Sequence, residues 1–340
     1  MISKARIKKK KKKKSVIKWT IVLLLLTYIV RSTFRNSNDN TRETSYKLVR
    51  AYIDSGIIKP STLHHDSCDS KDVILLIMVL SAVTNFEQRH AIRSTWGNVS
   101  SVPTTVLVRF LLGRTTNTNL QDIAAIENQL YNDIVFEDIL ETYENLTLKS
   151  IAMLRWSLLH CHQIRYLLKI DDDMFLNLPR LLNTLEKYPQ ANSIVGCKVS
   201  RSAPFRSSLS KWSVSRALYA DDYYPDYISG TAYLISGDII RNLYHATQKV
   251  PYFIFEDVYI TGLCRRYIGA IAKEHTDFSC GYRDKGPCGN NFRYKLTGHH
   301  YSPSEIKRMW LELKDRESTC RFLDQKIIYR LVDMFKFIFL

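Results

Sequence analysis

The chain has 340 residues, 45% of them hydrophobic, and a formal charge of +16. That length and apolar content exclude a wholly disordered chain and suffice for one large catalytic domain with appendages, or for two small domains. The charge suggests nucleic acid, but ten basic residues and no acidic ones lie in Met1–Lys18, leaving 39 basic against 33 acidic elsewhere. A nucleic-acid-binding body needs basic patches with interleaved aromatics along its length, so no nucleic-acid partner is expected.

Lys8–Lys14 is an unbroken lysine run, which by itself reads as a nuclear signal or a basic arm. The segment that follows, Trp19–Val30 (WTIVLLLLTYIV), has no acid and no helix breaker. It reads as a membrane span, lengthened by Val16, Ile17 and a snorkelling Lys18. Arg31–Arg35 offers no small-x-small cleavage site, which argues against a cleaved signal peptide. The positive-inside rule then keeps residues 1–15 in the cytosol, makes residues 16–30 a single-pass type II signal anchor, and sends the remainder into a lumen. So short a span favours the thinner membranes of the early secretory route.

Residues 31–71 are polar and aperiodic and read as a luminal stem. A catalytic domain is expected over residues 72–325. The apolar tail, residues 326–340, could dock on that domain or make a homo-oligomer contact. Cys68, Cys161, Cys197, Cys264, Cys280, Cys288 and Cys320 allow up to three disulfides with one thiol left over, in keeping with a luminal body. No C-x-x-C pair occurs, so a zinc site is not expected. Asn98-Val-Ser100 and Asn145-Leu-Thr147 are N-glycosylation sequons.

Within the body, apolar runs of strand length alternate with helical spacing. Val73–Leu80 predicts a strand and Phe86–Trp96 a helix. Thr105–Leu112 predicts a strand closed by Gly113, and Asn119–Tyr131 a helix. Asp133–Phe136 predicts a short strand, Leu146–Cys161 a helix, and Tyr166–Ile170 a strand that ends on Asp171-Asp172-Asp173. This order with wholly apolar strands implies an α/β fold with a mostly parallel sheet covered on both faces. Ligands of such sheets bind at the carboxyl ends of strands, where the three aspartates fall. A solvated acidic turn is the plain alternative. Three adjacent anions at a strand end otherwise need a cation, and oxygen ligands suit Mg²⁺ or Mn²⁺ bridging to nucleotide phosphates. No G-x-G-x-x-G follows an early strand and no P-loop occurs, so a nucleotide would be held by its metal and by single side chains.

Six segments, Arg89–Trp96, Phe110–Gly113, Glu141–Lys149, Lys169–Phe175, Tyr224–Gly230 and Phe255–Tyr259, resemble in order the motifs of the β-1,3-galactosyltransferase family, glycosyltransferase family 31. The resemblance spans Val73 to Trp310. Two departures are visible: Ala232 stands where the family often has Gly, and Ile260-Thr261 replaces a usual Val-Gly. The resemblance implies a GT-A type fold, a Golgi membrane enzyme, Mn²⁺, a UDP-sugar donor and a glycan, glycoprotein or glycolipid acceptor. UDP-galactose is the first choice, because Glu256 precedes Asp257. N-acetylglucosaminyl or N-acetylgalactosaminyl transfer is the alternative, and a metal-dependent phosphohydrolase a remote one.

The resemblance also implies roles for single residues. Asp257 is the catalytic base at the start of an expected helix, Asp257–Tyr267, where a plain helix cap is the rival reading. Glu256 shapes the sugar pocket. Asp171, Asp173 and His299 hold the metal, with His300 a close alternative to His299, just before the capping-box start Ser302–Glu305. Arg89, Arg93, Lys149, Asp171 and Asp172 are candidates for the donor, since basic groups suit phosphates. A surface salt bridge is the rival for each of the three basic residues. Tyr227, Ser229 and Gly230 are candidates for the acceptor side, or core and turn residues.

Overall fold

The computed structural model describes residues 68, 72–98, 105–185, 191–207, 210–281 and 292–314. Residues 205–214 belong to one compact unit and the other described residues to a second. The smaller stretch is closed by a hydrogen bond from Val214 N–H to the Phe205 carbonyl (2.8 Å) and by a Phe205–Trp212 ring pair. The expected tail, anchor and stem, Cys68 apart, and the apolar end at 326–340 lie outside the described residues. Among the described residues no helix is long and apolar enough to cross a membrane.

The larger unit alternates strand and helix as its apolar runs dictate. In chain order it comprises β1 (Leu75–Leu80), α1 (Phe86–Arg93), β2 (Val106–Arg114), α2 (Thr118–Tyr131), β3 (Ile134–Leu140), α3 (Leu146–His160) and β4 (Tyr166–Asp171). There follow β5 (Phe175–Leu176), α4 (Leu178–Thr184), β6 (Ser193–Val199), β7 (Tyr227–Ser236) and α5 (Ile240–Thr247). A π-helix (Val258–Cys264) runs into the single turn α6 (Arg265–Tyr267), and β8 (Ile271–Glu274), β9 (Thr297–Gly298) and α7 (Pro303–Lys314) complete the unit.

Seven strands form one sheet in the order β3-β2-β1-β4-β7-β6-β8, while β5 pairs with β9. Only β7 runs against the others. The mixed α/β architecture with a mostly parallel sheet is therefore as expected. Alternate residues of the central strands build two cores. Leu75, Ile77, Val79, Val108, Phe110, Leu168 and Ile170 join Ile92 and Trp96 beside α1 and Ile306 and Met309 of α7. Leu76, Met78, Leu111 and Leu167 on the other face are also fully buried. Each such side chain contributes roughly 1.5–3 kcal/mol on leaving water, and burial on both faces explains why the strands read as unbroken apolar runs.

Several boundaries differ from expectation for identifiable reasons. α1 stops at Arg93 because the hydroxyls of Ser94 and Thr95 bond back to the Ala91 carbonyl (3.0 and 2.7 Å). Gly113 lies inside β2 rather than closing it: a Cβ there would stand 2.4 Å from the Ile139 carbonyl oxygen of β3. β3 continues through Glu137, whose carboxylate is buried against Arg155 of α3 (2.7 Å). The expected helix at Asp257–Tyr267 is mainly π-helical. Two disulfides, Cys68–Cys161 and Cys197–Cys280, cross the larger unit, Cys264 is a free buried thiol, and Cys288 and Cys320 lie outside the described residues.

Candidate active site

The chain runs from β1 outward to β2 and β3, then returns to place β4 on the other side of β1. That reversal makes a topological switch point at the carboxyl ends of β1 and β4, where Leu80 and Asp171 are in register and where ligands of such sheets bind. The three aspartates emerge there and turn to three different partners. Asp171 accepts from the ammonium group of Lys169 (2.5 Å). Asp172 accepts from Asn85 Nδ2 (2.9 Å) in the β1–α1 loop, and burial pushes its carboxyl up to about 6 against the pull of Ser81 and Asn85. Asp173 faces two imidazoles, with His299 Nε2 at 3.5 Å and His300 Nδ1 at 3.2 Å.

Asp173, His299 and His300 offer ligand atoms that all lie within 4.8 Å of one another. His299 Nδ1 lies 3.3 Å from the Gly281 carbonyl. Donation of an Nδ1 proton there leaves the Nε2 lone pair on the Asp173 side, the usual orientation of a metal-binding histidine. The Cys197–Cys280 disulfide anchors the residue before Gly281, so it supports this histidine indirectly. His300 has a positive φ of 63°, a costly conformation for a non-glycine residue, and its ring lies 3.6 Å from that of His299. The donor set of one carboxylate and two imidazoles suits a divalent metal ion. Of the expected trio, Asp173 and His299 stand together with His300 beside them, while Asp171 is paired with Lys169.

The antiparallel strand β7 brings its beginning to the same edge. Ile170 pairs with Ala232, so Tyr227–Thr231 extend past the end of β4. Their open edge is covered by the segment carrying Glu256 and Asp257. Gly230 N–H donates to Asp257 Oδ2 (3.1 Å), and Val258 N–H donates to Asp257 Oδ1 (2.8 Å). A Cβ on Gly230 would lie 3.0 Å from Glu256 Oε2 and 3.1 Å from Asp257 Cβ, so only glycine lets both carboxylates approach this closely. Burial raises the Asp257 carboxyl above its ordinary value, while the two N–H donors oppose the shift.

Behind them lies a buried polar cluster. Lys169 is 3% exposed and reaches Asp171, the Gly230 carbonyl and, at 3.8 Å, Glu256 Oε2. Burial favours a neutral amine, yet Asp171 and Glu256 outweigh it and raise the Lys169 ammonium above its ordinary value. Glu256 also accepts from Ser150 Oγ (2.9 Å) and from the Tyr233 hydroxyl. Burial pushes its carboxyl up to about 7, with Lys169 holding it down. One lysine therefore bridges the aspartate edge and the Glu256–Asp257 pair.

The three basic candidates are engaged elsewhere, which corrects their expected contact with a diphosphate. All five N–H groups of Arg89 have partners: Glu127 (2.8 and 2.6 Å), Ser81 Oγ (3.0 Å) and the carbonyls of Ala82 and Val83. Arg93 grips Asp133 (2.8 Å twice) and Glu127 (2.6 Å), and its guanidinium lies over the rings of Phe110 and Tyr131. Lys149, 1% exposed, donates to the Ser81 carbonyl (2.8 Å) and to both oxygens of Glu141 (2.9 and 3.1 Å). These are buried pairs rather than surface bridges. Arg89 and Lys149 fix the loop after β1, the loop that also holds Asp172.

Tyr227 is half-buried beside Asp257, whose negative charge adds to burial in raising the Tyr227 phenol above its ordinary value. Ser229 is 8% exposed, inside β7. Asn145 donates to the Leu140 carbonyl (2.9 Å), and the sequon's Thr147 hydroxyl is buried on the carbonyls of Phe253 and Ile254 (3.0 Å each). Asn98 is half-buried, and the rest of its sequon lies outside the described residues. Lys169, Tyr233 and Ser150 join the site without having been expected there. A lone lysine inside the apolar run Tyr166–Ile170 was a usable signal, because a buried lysine is almost always paired.

The Galactosyltransferase family profile matches residues 87–276. Over 266 residues the chain is 34% identical to "Lactosylceramide 1,3-N-acetyl-beta-D-glucosaminyltransferase B" of Danio rerio, covering 75% of this chain and 69% of that protein. Over 256 residues it is 31% identical to "Beta-1,3-galactosyltransferase 1" of Mus musculus, covering 74% and 77%. Among solved structures, the galactosyltransferase LgtC matches at 12% identity and a TM-score of 0.35, over 74% of this chain and 99% of that one. With the family profile matching more than half of the sequence and these relatives aligned across three quarters of it, the chain belongs to the galactosyltransferase family.

Proposed function

We propose that the chain is an inverting β-1,3-glycosyltransferase of GT-A type, moving a hexose from a UDP-sugar to a hydroxyl of a glycan acceptor. The observation that carries this reading is the convergence at one sheet edge of a backbone-held carboxylate, Asp257, and a separate metal-ligand group, Asp173 with His299 and His300. Inversion needs both: a base for the acceptor proton and charge stabilisation for the departing diphosphate. A divalent ion, Mn²⁺ for preference, held by Asp173 and the two histidines would supply that stabilisation.

The chain's own residues supply the rest. Asp257, its two oxygens fixed by Gly230 and Val258, receives the acceptor proton, and its raised affinity for protons suits it to a base near neutral pH. Glu256 walls the sugar pocket, and Lys169 keeps its charge and that of Asp171 in balance. Tyr227, half-buried beside Asp257, offers an aromatic face to the acceptor ring.

Galactose is the favoured sugar, and N-acetylglucosamine is the second reading because relatives bearing both names match about three quarters of the chain. A two-metal phosphohydrolase would need a second ligand group about 3.5–4 Å from the first ion, and the described residues offer one group. The lysine run and the apolar segment after it support a type II anchor with the catalytic domain in the Golgi lumen. The test is transfer and hydrolysis assayed with UDP-galactose, UDP-N-acetylglucosamine and UDP-N-acetylgalactosamine, with Mn²⁺ and with chelator. Metal-dependent use of one donor is expected, and turnover of none would overturn the proposal.

A further inference from the structure

The side of β7 that faces β4 has a problem of satisfaction. β4 ends at Asp171, and its last partner on β7 is Ala232. Earlier on the strand, where its register against β6 also shifts, Gly230 and Ile228 lie beyond the end of β4, so no β4 residue receives their N–H groups. Gly230 N–H is received by Asp257 Oδ2 (3.1 Å). Ile228 N–H is received by the hydroxyl of Thr261 (2.8 Å), in the π-helix one turn after Asp257. Two side chains from one helical turn thus replace the missing strand.

The Thr261 hydroxyl does more than accept. It lies 2.6 Å from the Asp257 carbonyl oxygen and 3.0 Å from the Ile228 carbonyl oxygen, to either of which it can give its one proton. Thr261 is fully buried, so water cannot substitute for these bonds. The neighbouring Gly262 packs where a Cβ would be 3.2 Å from Tyr227 Cβ, which keeps helix and strand close at this point. The spacing between Ile228 and the Asp257 backbone is therefore set by one hydroxyl group. That spacing in turn sets the Gly230–Asp257 contact that orients the carboxylate.

We infer that Thr261 is the positioning residue of the general base: its hydroxyl clamps the π-helix to β7 and so aims the Asp257 carboxylate at the acceptor hydroxyl. This rests on the proposed role of Asp257. A misplacement of about 1 Å at a reacting group costs up to about 100-fold in rate, whereas a donor held by its diphosphate and metal does not sense the clamp.

The test uses the full chain and four variants: Thr261→Val, Thr261→Ser, Asp257→Asn and Thr261→Val with Asp257→Asn. UDP-galactose binding is measured by calorimetry with Mn²⁺ present, and kcat at saturating donor and acceptor. Thr261→Val should lower kcat by roughly 10–100-fold with donor Kd unchanged. Thr261→Ser, which keeps the hydroxyl, should restore kcat, and adding Thr261→Val to Asp257→Asn should lower the rate no further. Unchanged kcat in Thr261→Val, or Thr261→Ser as slow as Thr261→Val, would overturn the inference while leaving the base assignment intact if Asp257→Asn is slow. Full turnover in Asp257→Asn would remove both. Should Thr261→Val not fold, Thr261→Ala removes the hydroxyl without adding bulk and carries the same expectations.

Discussion

Glu127 is the residue through which the reassignment of Arg89 and Arg93 can be tested. Its carboxylate is 1% exposed and receives Arg89 Nε at 2.8 Å, Arg89 Nη2 at 2.6 Å and Arg93 Nη1 at 2.6 Å. Glu127→Gln preserves the shape and removes the charge, leaving two buried guanidinium groups with Asp133 as their remaining anionic partner. Breaking a buried ion pair from one side costs about 3–5 kcal/mol, a fifth or more of the ~5–15 kcal/mol that holds a typical domain. At about 2–4 °C per kcal/mol for a domain of this size, the melting temperature should fall by roughly 6–20 °C. UDP-sugar affinity, measured well below the transition, should hold.

The pH dependence follows from the same geometry. Burial alone would raise the Glu127 carboxyl, but the hydrogen bonds and charges of Arg89 and Arg93 prevail and hold it below the usual carboxylate range. Its contribution to stability is therefore complete above the ordinary glutamate value of about 4.3 and is lost as pH falls through the lower folded value. The gap in melting temperature between wild type and Glu127→Gln should be constant from neutral pH to about 5 and close in stronger acid. Melting of the variant within about 2 °C of wild type, or retained stability with lost donor affinity, would contradict the buried pairing. The second outcome would return Arg89 and Arg93 to the diphosphate.

Other parts of the structure make their own forecasts. Glu256 sits at about 7, so the native state binds a proton that the unfolded chain has released, and stability falls as pH rises from about 4 toward 7. Glu256→Gln should accordingly melt at the same temperature as wild type near pH 4 and higher than wild type at pH 8, and equal melting at pH 8 would refute the burial argument. Removing the Cys197–Cys280 bridge by Cys197→Ser with Cys280→Ser should cost about 2–5 kcal/mol and, through Gly281 and His299, raise the Mn²⁺ concentration needed for half-maximal binding. Unchanged Mn²⁺ affinity by electron paramagnetic resonance would sever that link. For the anchor, a tag at Met1 in intact vesicles should be open to protease, and its protection would contradict the type II orientation.

Much of this arrangement was legible in the residues. Strands β1 to β4 announced themselves because both of their faces are buried, and the aspartates could be placed at a strand end because the apolar run stops at Ile170. The antiparallel β7 was not legible: Tyr227–Gly230 carries the polar and glycine residues of a turn, and its strand character comes from β4, β6 and the π-helix together. Arg89 and Arg93 pointed to phosphate because their partner Glu127 lies 38 and 34 residues away on a helix face that looked like ordinary solvent surface. Asp171 pointed to a metal because carboxylate runs show charge and not rotamer, and the lysine that turns it aside is two residues back in the same strand. The π-helix has no sequence signature of its own, so Asp257 could be read equally as base or cap.

A single substitution at Asp257 separates the base from the cap. Asp257→Asn keeps the size of the side chain and one of its two backbone acceptor positions, since an amide cannot accept from both Gly230 and Val258, but it has no basicity. UDP-galactose affinity by calorimetry and transfer rate at saturating acceptor, measured on the same preparations of wild type and variant, separate the two roles. The predicted result is an unchanged donor affinity with turnover lower by about 10²–10⁴. Near-normal turnover would make Asp257 a structural cap and contradict its assignment as the base.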